Sequence, residues 1–235
     1  MLMLRRILSV FALMMGLAGG AASQRLGPEA SRPQALPVAP VPVDVACTGP
    51  QTIRMAVDVG DRVSFAVGSA PERIEWAMKV ALDRLRETGR PRDSLRIGAY
   101  VNLVCDPDER RAIALGRMIS GMVAHFAGMK DAPLDHLPPQ LKSIAAHMQS
   151  GYDMKRHAQE EGEHLGAVPD DFVEWFSICG PPAKCRERLG QLLDLGLDHV
   201  YQLGGSPVAH PHGPRQEAMV RQAALYATEV VPHFR

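Results

Sequence analysis

Any chemistry in this chain has to come from a few polar residues set at the ends of apolar runs. The most informative group is Cys47-Thr48-Gly49-Pro50, which closes a valine-rich run and opens a helix-like stretch. A strand end followed by glycine and a helix start presents unpaired backbone N–H groups and the positive end of a helix dipole. That arrangement suits a phosphate. Thr48 adds a hydroxyl donor, and Gly49 lets the backbone approach a ligand closely. The same tetrapeptide also reads as a plain turn between strand and helix, and residue types alone leave both readings open.

Other polar groups are weaker pointers. Asn102 lies inside the apolar run 95–104, where a polar side chain needs a partner. It faces either the interior of the fold, toward a bound cofactor, or a structural hydrogen bond. Tyr152, Asp153 and His157 sit together, with Asp153 and His157 one helical turn apart. They are spaced to hold a substrate or to work as acid and base, and equally to pair on a helix surface or pack a lid. His210-Pro211-His212 with His199 lacks a third ligand at usable spacing, so no metal is expected. The four cysteines, Cys47, Cys105, Cys179 and Cys185, form no C-x-x-C pair and read as small buried apolar residues rather than a disulfide framework. Trp76 and Trp175 read as packing residues, and Arg215 and Arg221 as part of a solvated helix face. No nucleophile elbow and no Ser–His–Asp set supports hydrolase chemistry.

The elements that must position these residues alternate between strand and helix. A β-rich run at 41–47 is followed by helical spacing at 51–58, with Pro42 better suited to the start of a strand than its middle. The second strand, 61–68, ends at Gly68, and Ser69-Ala70-Pro71-Glu72 reads as an N-cap followed by Pro and an early acid. A helix over 71–88 places Ile74, Ala77, Met78, Ala81, Leu82 and Leu85 on one stripe, with Gly89 just beyond its end. The run 95–104 is apolar nearly throughout, as a parallel strand buried on both faces should be. A helix from Asp106-Pro107-Asp108-Glu109 runs to about 126. The proline-bearing stretch 130–166 breaks the rhythm, with a helix at 140–148 and a second at about 154–163, and reads as an insertion serving as a lid or an oligomer contact. Alternation then resumes with an extended piece at 176–180, a helix at 183–195 with core face Cys185, Leu189, Leu192 and Leu193, a strand at 199–203 and a closing helix at 215–231. Strand–turn–helix repetition of this kind predicts parallel strands joined by crossovers, in an open doubly wound sheet or a β/α barrel. No G-x-G-x-x-G follows any strand, which favours the barrel.

Bulk properties narrow the classes. The 235 residues carry 26 basic and 26 acidic side chains, so there is no long-range pull toward phosphate backbones or anionic membranes. Aromatic residues are 5% of the chain, too few for base-stacking platforms, and nucleic acid is not an expected partner. Residues 1–40 form a separate segment. Arg5 and Arg6, an apolar run at 7–18 and small residues to Ser23 have the layout of a secretory signal cleaved near Ala22. The run is short for a helix crossing ~30 Å of hydrocarbon, and the alternative is an ordinary buried helix or poorly specified sequence. Residues 24–40 read as a linker, and 41–235 as the folded domain.

Three blocks carry a family resemblance: PVDVACTGPQTIRMA (42–56); DRVSFAVGSAPERIEWA (61–77) with LRIGAYVNLV (95–104) behind it; and CGPPAKCRERLGQLLDLGLDHV (179–200). In this order and spacing they resemble the C-terminal half of the luciferase-like monooxygenase superfamily, and most closely its deazaflavin-dependent, methylenetetrahydromethanopterin-reductase-like branch. The resemblance implies part of an eight-stranded β/α (TIM-type) barrel with a helical insertion, in which 41–47 is the fifth strand and 199–203 the eighth. It implies FMN or a deazaflavin (coenzyme F-420) at the C-terminal strand ends, with cofactor phosphate contact at Cys47, Thr48, Gly49 and Pro50, and hydride transfer or oxygen activation on a small-molecule substrate. A bulky residue at Gly49 should then abolish cofactor binding. The strands that supply most family catalytic side chains have no counterpart in 1–40, so catalytic residues are not assigned. A half-barrel exposes sheet edges and predicts a homo-oligomer or pairing with another barrel half. Family members are expected in the cytoplasm beside reduced cofactor, with export through the signal-like start as the alternative. A second functional expectation is a non-catalytic half-barrel remnant or assembly module.

Overall fold

The computed structural model describes residues 41–127, 142, 168–204 and 214–234. In chain order these form β1 (Asp44–Cys47), α1 (Pro50–Val59), β2 (Arg62–Phe65), α2 (Pro71–Thr88), β3 (Arg96–Cys105) and α3 (Glu109–Ala127). There follow α4 (Asp170–Phe176), β4 (Ile178–Gly180), α5 (Pro182–Asp194), β5 (His199–Leu203) and α6 (Pro214–Glu229). Short 3₁₀ turns stand at Arg92–Ser94 and Val231–Phe234.

Among the described residues every strand pairing is parallel: β1 on β2, β2 on β3, and β3 on both β4 and β5. Successive residues of a strand direct their N–H and C=O groups to opposite edges. The N–H groups of Arg96 and Asp106 donate to Asp61 and Gly180 (3.2 and 2.9 Å), while the Ile97 carbonyl accepts from Asp198 (2.7 Å). The short β4 therefore extends the edge that β2 occupies lower down, and β5 takes the opposite edge of β3.

The strand side chains sort by parity into two unlike faces. Val63, Phe65, Ile97, Ala99, Val101, Leu103, Cys105 and Val200 lie in one buried cluster with Ile53 and Val57 of α1, Ile74, Ala77 and Met78 of α2, Cys185, Leu189 and Leu192 of α5, and Tyr226 of α6. All four of these helices thus cover the same face. A doubly wound sheet would cover both faces with helices along their length, whereas here the other face is covered only at its C-terminal end, by α3 and α4, so the arrangement is that of a barrel wall. The buried apolar stripes of α2 and α5 are the predicted ones, except that Leu82 is only partly buried. Gly89 ends α2 in the left-handed conformation (φ 68°) that a residue with a side chain adopts only at a cost.

The differences from expectation have local causes. β1 begins at Asp44 rather than 41, because Val41 and Val43 are 81% and 53% exposed and Pro42 has no N–H for a ladder. β2 stops at Phe65, where the Ala66 N–H turns back to the Cys47 carbonyl (2.7 Å). Ser69 is not the N-cap of α2; Ala70 holds that position without a side-chain bond, and the Ser69 hydroxyl donates to the Asn102 carbonyl at 3.4 Å. Phe176 ends a helix rather than beginning a strand. That helix, α4, buries Phe172, Val173 and Phe176 against α3, with Ile113 and Val123 beside them. Val104 and Cys179 join this second cluster from the face opposite the crossover helices, so α3 and α4 close over the C-terminal end of that face.

Candidate functional site

The face opposite α1, α2, α5 and α6 is polar over most of its length and layered by register. Asp44, Arg62 and Arg96 form its lowest row, at the N-terminal ends of the strands; Ala46, Ser64, Gly98 and His199 form the next. Tyr100 and Tyr201 follow, and Asn102 and Leu203 stand at the C-terminal end. Ser64 Oγ lies 2.8 and 3.0 Å from the two Asp44 carboxylate oxygens and 3.0 Å from His199 Nε2. A carboxylate only accepts, so the single hydroxyl proton goes to Asp44 and His199 Nε2–H donates to Ser64. This tautomer leaves His199 Nδ1 as a buried lone pair with no partner among the described residues. The tyrosine rings stack at 5.2 Å, and His199 meets Tyr201 edge-on at 5.0 Å.

This cluster resembles a relay but stands at the wrong end for one. In barrels the chemistry collects at the C-terminal ends of the strands and the opposite end serves stability. Burial holds the His199 imidazole below its usual pKa, with Arg62 and Arg96 acting in the same direction and Asp44 and Asp198 against it. A proton therefore binds the unfolded chain more readily than the folded one as pH falls through the ordinary histidine range. Stability due to this group is complete above about pH 6.5 and is lost below it, by at most about 1.4 kcal/mol per pH unit. Urea unfolding between pH 7.5 and 5.5 should show a steeper loss for the wild type than for His199→Gln. Parallel pH profiles would refute the assignment.

The loop 47–50 stands at the C-terminal end of β1. Cys47 points its side chain into the helix-side core, where burial, with Asp44 adding to it, pushes the thiol up to about 12. Only its main chain is available to a ligand. Gly49 is the N-cap of α1 with extended backbone (φ −141°, ψ 168°), and Pro50 opens the helix. The Gly49 N–H donates to Thr52 Oγ1 (3.2 Å), whose hydroxyl donates back to the Gly49 carbonyl (2.9 Å), which fixes the turn. The N–H groups of Gln51 and Thr52 belong to the first helical turn, which has no intrahelical acceptors. No acid lies in that turn, and a Cβ added at Gly49 would meet nothing within 4 Å. The loop is an ordered, open, anion-compatible helix start.

Asn102 is fully buried, and neither its Oδ1 nor its Nδ2 has a hydrogen-bond partner among the described residues. Its flanking residues Val101 and Leu103 belong to the helix-side core, so its own side chain stands on the polar face. Trp76 and Trp175 pack as expected, and all four cysteines are free and buried. Arg221 lies on an exposed face with Glu217 (3.6 Å). Among the described residues no group of three or more His, Cys, Asp or Glu side chains is placed to hold a metal, and no helix is long and apolar enough to cross a membrane. Tyr152, Asp153, His157, His210, His212, the side chain of Arg215, the helices expected at 140–148 and 154–163 and the segment 1–40 lie outside the described residues. The Asp44–Ser64–His199 cluster is not legible in the sequence, because its members are distant in the chain and only the parallel register brings their two adjacent rows together.

A parallel sheet with α1, α2, α5 and α6 on one face, a polar opposite face and an open loop at the C-terminal end of β1 defines a β/α-barrel type of scaffold. The family described as luciferase-like monooxygenase matches residues 20–199, and the chain belongs to that family. It is 27% identical over 198 residues to the 5,10-methylenetetrahydromethanopterin reductase of Methanopyrus kandleri, covering 83% of this chain and 51% of that protein. The enzyme of the same name from Methanolobus tindarius is 27% identical over 185 residues, covering 77% of this chain and 52% of the relative. The chain thus spans about half the length of these relatives. The solved structure of a coenzyme F-420 dependent tetrahydromethanopterin reductase from Methanopyrus kandleri superposes with a TM-score of 0.59 at 27% identity, over 83% of this chain and 51% of that one.

Proposed function

We propose that this chain is the C-terminal half, strands five to eight, of a luciferase-like oxidoreductase barrel that binds FMN or a deazaflavin (coenzyme F-420). Membership of the luciferase-like family is the observation that carries this reading. A relative named as a coenzyme F-420-dependent glucose-6-phosphate dehydrogenase and the solved coenzyme F-420 dependent reductase support the cofactor class. The cofactor when bound supplies two-electron chemistry on a small-molecule substrate. The residues present fit such a group in two places: an open helix start at Thr48-Gly49-Pro50 and an unpartnered buried amide at Asn102.

Within this reading Thr48, Gly49 and the first-turn N–H groups of α1 hold the phosphate, and Cys47 and Pro50 contribute through the main chain and turn geometry. The α3–α4 cluster covers the C-terminal end of the polar face, near Leu203, and restricts water there. Residues 1–40 are assigned as a segment separate from the domain 41–235. Pairing with another barrel half, or self-association, would cover the polar face, and the cytoplasm, where reduced cofactor is held, is the assigned compartment. Titration of the purified chain with FMN and with coenzyme F-420, read by fluorescence, tests the function. Saturable micromolar binding of one of them is expected, and no change with either would overturn the reading.

A further inference from the structure

The geometry points to Asn102 as the residue that reads the ring edge of the bound cofactor, an inference that rests on the functional reading above. A buried carboxamide without partners is costly, because it has given up water on both its donor and its acceptor. Both atoms of Asn102 are orphaned together, which restricts what can complete them. A phosphate or carboxylate would satisfy only the Nδ2 donors, and a cation only Oδ1. A ligand edge carrying an N–H beside a C=O satisfies both at once, in the two-point pairing that asparagine makes with nucleobase edges. The pyrimidinedione ring common to flavins and deazaflavins has such an edge.

Position agrees with the chemistry. Asn102 stands three residues beyond Ala99, which is level through Phe65 with Cys47 at the end of β1. That is about 10 Å further along the strand direction, at roughly 3.3 Å per residue, and so toward the end where the loop 48–50 lies. Its register partner Leu203 packs against the α3–α4 cluster, so the amide lies in the covered part of the polar face. Its main-chain carbonyl accepts from Ser69 Oγ at 3.4 Å, a contact to the loop after β2. The strand backbone there is held while the amide itself is left unpaired. Asn102 is thus a positioning and specificity residue for the ring, separate from the phosphate loop.

The test compares wild type, Asn102→Leu and Asn102→Asp in two measurements. Thermal unfolding of the ligand-free chain should give a higher midpoint for Asn102→Leu than for wild type, since an unpaired amide is replaced by an apolar side chain of similar size. Fluorescence titrations with FMN and riboflavin, and with coenzyme F-420 and its phosphate-free riboside, should show both variants losing at least tenfold in affinity. The loss should be equal with and without the phosphate. Asn102→Asp keeps the shape and removes the donor, so it reports on the ring even where the leucine variant folds poorly. A lower midpoint for Asn102→Leu with unchanged affinities would make the amide structural and overturn the inference. A higher midpoint with unchanged affinities would show that the amide does not meet the ring, and would overturn it too. Wild type that binds none of the four compounds overturns the functional reading and this inference together, whereas loss confined to the variants leaves the functional reading standing.

Discussion

Replacing Gly98 with alanine is expected to destabilise the chain by about 3 kcal/mol, a large effect for one methyl group. Gly98 pairs with Ser64 on β2 and with His199 on β5, and the imidazole lies directly over it. A Cβ there would stand 2.4 Å from His199 Cδ2 and Nε2 and 2.5 Å from the His199 carbonyl oxygen. Rotating the ring away would relieve part of the clash. It would also break the Nε2 contact to Ser64, which is held by Asp44. The carbonyl has no such freedom, because β5 is fixed by its ladder to β3. Urea unfolding at pH 7.5 reads the loss as a lower midpoint with an unchanged slope. The double variant Gly98→Ala/His199→Ala should recover only part of it, since the backbone contact persists. A Gly98→Ala midpoint equal to that of the wild type would show that the sheet opens at this row without cost.

Local pattern made the wall of the barrel legible, and long-range register decided the rest. The stripes of α2 and α5 follow helical spacing and were readable directly, as was β5 over its full length. β3 reads as buried on both faces because one side packs on helices and the other on Tyr201, His199 and the α3–α4 cluster. α4 was hidden: its seven residues are too short to show periodicity, and Phe176 beside the strand residues 178–180 looks like part of them. The choice between doubly wound sheet and barrel depends on which face each helix covers, which no single strand–helix unit encodes. The loop 47–50 was visible as a strand end, glycine and helix start. Cys47 reads as a small buried apolar residue, and its register with Phe65 decides which core it enters. Asn102 was visible as a polar interruption, but its lack of any partner is a three-dimensional fact.

Gly49→Asp is expected to weaken FMN or coenzyme F-420 binding at least a hundredfold, about 2.7 kcal/mol, without harming the fold. The two halves of that expectation have different causes. Gly49 has extended backbone open to any residue, and an added side chain meets no atom within 4 Å, so the fold does not require glycine here. Aspartate is among the preferred N-cap residues and carries the charge that favours a helix N-terminus. Stability should therefore be unchanged or slightly raised. Its carboxylate would occupy the same N–H groups that the proposed phosphate needs, and would repel that phosphate. Phosphate-free compounds separate this effect from ring recognition: riboflavin and the deazaflavin riboside should bind Gly49→Asp nearly as well as wild type, in contrast to the Asn102 variants. If Gly49→Asp kept full affinity for the phosphorylated cofactor, the phosphate would lie elsewhere, and Gly49 would be a turn residue. A fall in thermal stability would show instead that the turn set by Thr52 needs glycine after all, since the Thr52 hydroxyl bonds both the N–H and the carbonyl of this residue.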